Sequence, residues 1–454
     1  MHTTTSALRQ RFKVAMGGTT FEVAHTAWPI VISMLSYTAM GVVDTLFVGR
    51  LGTSQLAGVA LAVTSVMLFN SVALGGLRGI KVVVAQATGA GDSEMARRSG
   101  WQGLWLALLL GGVVVLLSTW ADTWVGLIGA SGANFEHARV YFVLRCLSAP
   151  GLFVMTALCQ HLDGLGQTRV SMRFTLLANG LNIVLDPLLI FGFGPIPAMG
   201  VFGAGLATAI AFVVAAVAAF AAFVSADNPV VGPLREDLRR LAKVGAPIGV
   251  NWLLDVAGWT VIVATLARVS ELQVAANVVA IRIVSVSFLP GYGIAEATSI
   301  LVGQYVGAGR LGGTNAVLKS ATGLSCAIMG ALGVVFLVTP EPIVGAFSSD
   351  PDVVAVGATL LMYGAAFQLF DAVALSTMGA LNGAGDTAFT MKVGITATWL
   401  VLVPLGWFLA VRAEMGAAGV WVAITADVAT RAAAYLVRWR SGGWRSKAVV
   451  QTGA

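Results

Sequence analysis

The sequence has little charge: only 11% of its 454 residues are Asp, Glu, Lys or Arg, whereas 57% are hydrophobic. An ordinary soluble domain is roughly 25% charged. Several apolar stretches are about 20 residues long, which is enough to cross about 30 Å of hydrocarbon. The scarcity of charge therefore excludes a water-soluble protein and predicts an all-α polytopic membrane protein.

Cysteine and catalytic motifs are scarce as well. Cys146, Cys159 and Cys326 lie in apolar stretches, and an odd count without metal-ligand spacing argues against a disulfide framework or a zinc site. There is no His-Glu-x-x-His, no Gly-x-Ser-x-Gly and no phosphate-binding loop of the Walker type. We therefore expect no enzymatic activity, no cofactor and no use of ATP. The net charge of +6 comes from basic residues between apolar spans, so no nucleic-acid partner is expected either.

Apolar runs bounded by charges, glycine and proline predict twelve membrane-spanning helices. Six form an N-lobe within residues 1–224, near 22–49, 55–80, 95–119, 135–161, 170–193 and 203–224. A polar stretch at 225–243 is predicted to be a cytoplasmic linker. Six more spans form a C-lobe within residues 244–437, near 244–267, 273–300, 314–338, 354–380, 389–411 and 416–437, before a cytoplasmic tail at 438–454.

The two halves of the chain are repeats. Pro29 and Gln86 in the first half recur as Pro247 and Gln304 at one constant offset. Because each half has an even number of spans, both copies enter the membrane from the same side, which places a pseudo-twofold axis along the membrane normal. Lys and Arg are concentrated in the segments that would lie in the cytoplasm if both termini did. Because cytoplasmic segments of membrane proteins are rich in these residues, both termini are predicted to be cytoplasmic. The pattern is typical of transporters that alternate access to a central cleft.

Acidic residues inside the predicted spans are candidate site residues, because an ionised Asp at mid-membrane costs about 2.5 to 3.5 kcal/mol. Asp44 and Asp186 are predicted at similar depth, near the outer ends of the first and fifth spans. Asn179, Asn182 and Asp186 share one helix face, which should line a cavity in the N-lobe. These residues predict a cation or proton site, and static hydrogen bonding between the two helices is the alternative.

The C-lobe offers a second group of polar residues within spans. Asn251 and Asp255 lie on the seventh span, and Gln368 and Asp371 lie on the tenth. Arg282, on the eighth span, is expected to be a buried cation that could neutralise Asp255 or Asp371. A structural ion pair and a second transport site both remain open for this group.

Four groups of residues are distinctive: Val43-Asp44-Thr45-Leu46-Phe47-Val48-Gly49-Arg50-Leu51-Gly52, Gln86-Ala87-Thr88-Gly89-Ala90-Gly91, Asp163-Gly164-Leu165-Gly166-Gln167-Thr168, and Asn179, Asn182 and Asp186. With these motifs the sequence resembles the multidrug and toxic compound extrusion (MATE) family over nearly its whole length, and most resembles the branch named for DNA-damage-inducible protein F. The resemblance implies a cation site at Asp44, Asn182 and Asp186, and a first helix that bends at Pro29 when this site is protonated. A static kink at Pro29 is the alternative. The C-lobe acids are more loosely similar to those of the NorM-like branch.

The resemblance implies a monomeric exporter in the plasma (inner) membrane that exchanges protons for amphipathic or cationic compounds and so confers multidrug or antibiotic resistance. Sodium bound at Asp44, Asn182 and Asp186 could replace the proton as coupling ion. A flippase for lipid-linked oligosaccharides is an alternative within the same superfamily. It would need a strongly basic cavity, yet only Arg145 and Arg282 lie deep in predicted spans. Besides the substrate, only membrane lipids are expected as partners.

Overall fold

The structure is a computed structural model that describes residues 18–226 and 228–450. Nearly all of these residues are helical, and the described part of the chain contains no β-strand, only an isolated β-bridge between Phe193 and Ile196. A backbone that crosses lipid must satisfy its hydrogen bonds internally, and a helix does so within a single segment. The prediction of an all-α fold is confirmed.

The first half of the chain forms eight α-helices. They are α1 (Thr20–Gly49), α2 (Thr53–Ala90), α3 (Ser93–Leu117), α4 (Ala121–Leu127), α5 (Ala133–Leu147), α6 (Ala149–Gly164), α7 (Thr168–Ile190) and α8 (Gly200–Ser225).

The second half also forms eight, and two π-helical segments, Thr398–Leu402 and Phe408–Arg412, flank the fifteenth helix. The helices are α9 (Arg235–Ala267), α10 (Glu271–Gly307), α11 (Leu311–Val338), α12 (Pro340–Gly345), α13 (Pro351–Gly383), α14 (Thr387–Ala397), α15 (Val403–Trp407) and α16 (Gly416–Arg440).

The predicted count of twelve spans is confirmed once a bent pair is counted as one span. Eleven helical segments in the described residues are long and apolar enough to cross a membrane, and α5 with α6, bent by 42°, is the twelfth. Pro150 is the second residue of α6 and has no N–H to donate to the carbonyl of Cys146, four residues earlier. The proline therefore favours a break at the middle of the predicted fourth span.

Several helices extend beyond their predicted ends. The helix α2 has 38 residues and α10 has 37, so both exceed the roughly 20 residues that a bilayer requires. Lys81, which bounds the second span in the sequence, is only 3% exposed, so its charge does not mark a helix end. Similarly, α9 begins at Arg235, so the second half of the predicted linker is helical. The predicted lobe boundaries stay predictions.

The described residues divide into two compact units. The first unit contains residues 32–84 and 92–253, and it includes a core cluster around Trp101, Leu158 and Phe223. The second unit contains residues 18–31, 85–91 and 254–450, with its larger core clusters formed by helices that include α10, α13 and α16.

Within the second unit, the ends of α2 and α10 cross at a pair of glycines related by the repeat. A Cβ atom on Gly89 would lie 1.9 Å from the carbonyl oxygen of Gln304, and one on Gly307 would lie 1.9 Å from the carbonyl oxygen of Gln86. Both distances are far below van der Waals contact, so only glycine allows the two backbones to approach this closely.

Candidate functional site

Two carboxyl groups meet between α1 and α7, inside the first compact unit. Asp44 lies five residues before the end of α1, and Asp186 lies four residues before the end of α7. The two side chains are within hydrogen-bonding reach of each other. Asp186 is fully buried, and Asp44 is half-buried. The structure therefore brings together the two acids that the sequence analysis placed at similar depth.

The polar face of α7 links this pair to two neighbouring helices. Asn182 donates from Nδ2 to Oδ1 of Asp186 (3.4 Å) and to Oγ1 of Thr208 on α8 (3.2 Å). Asn179 donates from Nδ2 to Oγ of Ser36 on α1 (2.6 Å). Both asparagines are buried, so the predicted stripe faces protein rather than the lipid side.

Four oxygen atoms in this group are buried without a hydrogen-bond partner in the described residues. They are Oδ1 of Asp44, Asn179 and Asn182, together with Oδ2 of Asp186. Buried polar atoms are normally paired, and an unpaired one is costly in a dry environment. Because all four atoms are acceptors, they suit a ligand that donates hydrogen bonds or carries positive charge, such as a proton, a hydrated proton or a hard cation.

Arg145, on α5, is a further residue of this site that was not predicted from the sequence. Its guanidinium interacts electrostatically with Asp44 and Tyr37 and lies 5.7 Å from the ring centroid of Phe212. A charged residue deep within a predicted span was the signal that could have placed Arg145 here. Thr208 gave no such signal, because an isolated threonine in an apolar helix commonly bonds its own backbone.

A second polar group, the Arg431 cluster, consists of Asp255, Thr398, Asp427 and Arg431 in the second compact unit. Arg431 donates from Nη2 to Oδ1 of Asp255 (3.0 Å) and to Oγ1 of Thr398 (2.6 Å), and from Nε to Oδ2 of Asp427 (3.0 Å). Thr398, in a π-helical segment, also donates to Oδ1 of Asp255 (2.8 Å). The Arg431 guanidinium, on α16, thus connects this helix to α9 and to the π-helical segment that follows α14.

Arg282 differs from its expected placement as a buried counter-charge. Its side chain is exposed, and none of the described residues forms an ion pair with it. The neighbouring Ile283 and Val284 are buried in the core, and Arg282 lies on the exposed face of this turn of α10. The cation beside Asp255 is Arg431 instead.

The other predicted residues of the C-lobe are dispersed over α9 and α13. Asn251 is half-buried one turn before Asp255. Gln368 is fully buried and donates from Nε2 to Oγ of Ser287 on α10 (2.6 Å). Asp371 is only 5% exposed, and its Oδ2 has no hydrogen-bond partner in the described segments.

Pro29 lies inside α1, which continues through it without a break. An apolar stretch of α1 is only 6% buried, against 22 to 50% in the other spanning helices. One of the four points at which the chain passes from one compact unit to the other follows Val31, two residues after the proline. Few buried contacts are typical of segments that move easily, which is compatible with the predicted hinge.

Repeated halves of spanning helices with buried carboxylates are typical of secondary transporters. The MatE family model matches the chain twice, over residues 29–188 and 247–408. The second match begins at Pro247, the residue that the internal repeat pairs with Pro29, and this agreement supports the duplication. Together the two matches cover more than half of the chain, which therefore belongs to the MATE family.

Several known proteins are similar to this chain over almost its full length. A Pseudomonas putida protein named "Probable multidrug resistance protein NorM" is 30% identical, with 94% of this chain and 96% of that protein aligned. A protein of the same name from Deinococcus radiodurans is 31% identical over 88% and 91% of the two chains. The solved structure of a MOP superfamily transporter from Pyrococcus furiosus superposes with a TM-score of 0.87, at 24% identity over 95% and 98% of the chains. The first two relatives support the family, and the third supports the fold. The DNA-damage-inducible protein F branch stays a prediction.

Proposed function

We propose that the protein is a proton-driven antiporter that exports amphipathic or cationic organic compounds by alternating access. The observation that carries the proposal is the Asp44 and Asp186 pair, surrounded by buried acceptor atoms that lack donors. Two adjacent ionised carboxylates repel each other, so the pair gains most from binding one positive charge. A proton shared between them satisfies this requirement without a further ligand.

Proton binding at this pair can be coupled to movement because the two acids lie on helices that differ in packing. Asp186 belongs to α7, whose polar face is hydrogen-bonded to α8, whereas Asp44 belongs to the sparsely buried α1. A change in charge at the pair should therefore move α1 more easily than α7. We propose that α1 bends near Pro29 when the pair is protonated and thereby expels the substrate.

The proposal of organic compounds as substrates is supported by two relatives that are each named "Probable multidrug resistance protein NorM". We place the protein in the plasma (inner) membrane with both termini in the cytoplasm, and we expect a monomer without enzymatic activity or cofactor. A single charge that moves across 100 mV provides about 2.3 kcal/mol, so an ion gradient suffices to drive export.

Sodium is the second candidate for the coupling ion. Sodium binding is supported by the same unpaired oxygens of Asp44, Asn182 and Asp186, because a hard cation prefers carboxylate and amide oxygens as ligands. A proton needs only the two carboxylates, whereas sodium also needs the amide oxygen of Asn182. The two ions can therefore be separated by experiment.

The deciding experiment measures the accumulation of a cationic dye in inside-out vesicles under a proton or a sodium gradient imposed separately. We expect an acidic lumen to drive uptake and a sodium gradient alone to drive none. Asp44→Asn and Asp186→Asn should each reduce proton-driven uptake at least tenfold. Asp352→Asn, which changes an exposed carboxylate in the first turn of α13, is the matched control and should retain uptake. Uptake driven only by sodium would reject the proton, and undiminished coupling in both site variants would reject the site.

A further inference from the structure

The Arg431 cluster contains oxygen atoms that could bind a cation, and the Arg431 side chain already lies among these oxygens. Oδ1 of Asp255, Oδ2 of Asp427 and Oγ1 of Thr398 all lie within 3.0 Å of the Arg431 guanidinium. Two carboxylates and a hydroxyl are the oxygen ligands that hard cations bind in proteins. The guanidinium is permanently charged, and it uses two of its nitrogens to fill the space between these ligands.

The cluster is not a copy of the Asp44 and Asp186 site. Both α8 and α16 begin next to the sequence Met-Gly-x-x-Gly, and aligning the helices on it places Ala211 and Ala215 opposite Asp427 and Arg431. The first half of the chain therefore has no counterpart of this acid and its arginine. An acid and an arginine at these helix positions belong to the second half alone, and the arginine near Asp44 is Arg145 on a different helix, α5.

The guanidinium is held firmly enough to exclude a competing ion. The Arg431 side chain is 16% exposed and that of Asp427 is 7% exposed, so water screens the contacts poorly. The arginine is also tethered one helical turn from Asp427, which gives it a high effective concentration at the carboxylates. A free ion would have to displace an attached one and break all three contacts.

We propose that Arg431 is a built-in counter-cation that keeps alkali ions from binding between Asp255 and Asp427, so that ion coupling rests on Asp44 and Asp186. The second clause rests on the proposed function, whereas the first concerns only ion binding. Arg431 is thus a residue that determines ion specificity by occupying a site.

The test measures binding of radioactive sodium to the purified full-length protein. The background is Asp44→Asn/Asp186→Asn, so that sodium bound at those residues does not contribute. We expect no saturable sodium binding in this background. Adding Arg431→Gln should give saturable sodium binding at least tenfold above the nonspecific level of the background, and further adding Asp255→Asn should abolish it. Arg431→Lys retains a positive charge and is the matched control, for which no sodium binding is expected.

Two results would overturn the proposal. One is an Arg431→Gln protein that is monodisperse in size-exclusion chromatography yet gains no sodium binding. The other is saturable sodium binding with Arg431 intact that Asp255→Asn removes, and this comparison decides the question even if Arg431→Gln does not fold. Sodium binding that disappears when Asp44 and Asp186 are neutralised would instead contradict the proposed proton coupling, so the two failures are distinguishable.

Discussion

The crossing of α2 and α10 should not tolerate even a methyl group at Gly89 or Gly307. In each case the added Cβ would lie 1.9 Å from a backbone carbonyl oxygen, whereas ordinary contacts lie between 3.4 and 4 Å. The two helices would have to separate by roughly 1.5 Å, because a backbone atom cannot rotate away as the end of a side chain can. Overpacking typically costs about 1 to 3 kcal/mol, and this geometry places each alanine variant at the upper end.

The matched control is Gly76→Ala, on the same helix, where an added Cβ would meet no atom within 4 Å. Replacing a helical glycine by alanine stabilises by about 0.8 to 1.0 kcal/mol in an open position. When thermal unfolding is measured in one detergent, Gly76→Ala should therefore have a melting temperature equal to or above that of the unsubstituted protein. Gly89→Ala and Gly307→Ala should melt well below it. If Gly89→Ala unfolds at the same temperature as Gly76→Ala, the close crossing is wrong.

Three further substitutions test the polar groups and the end of the chain. Arg431→Met leaves Asp255 and Asp427 without their shared cation and should cost about 3 to 5 kcal/mol, and an unchanged melting temperature would contradict the ion cluster. Thr208→Val removes the acceptor of the Asn182 amide and should lower stability by about 1 to 3 kcal/mol while weakening proton-driven uptake, whereas Thr208→Ser should retain both. Trp444→Ala removes a buried ring stacked 4.3 Å from Trp439 and should expose the segment after α16 to protease, and unaltered cleavage would show that this ring does not hold the segment.

The spans and the acidic pair could be predicted because lipid imposes strict rules. Hydrophobic length fixes where a helix crosses, and distance from the helix end fixes depth, so Asp44 and Asp186 could be assigned to one level. Their mutual contact needed only that α1 and α7 pack together. The bend between α5 and α6 falls at Pro150, a break that hydropathy alone does not register. The long ends of α2 and α10 depend on packing against other helices, which hydropathy does not describe either.

The surroundings of Arg282 and Arg431 could not be predicted from hydropathy. A helix that is apolar on all sides gives no signal of its rotation, so α10 could have turned Arg282 toward the acids or away from them. For Arg431, the i, i+4 spacing to Asp427 predicts a pair within one helix, and the structure contains that pair. The contact with Asp255 is added by the neighbouring helix α9, and no spacing within α16 encodes it. The charge of a buried site is therefore set by helix rotation as well as composition, so an arginine can change which ion a carboxylate binds.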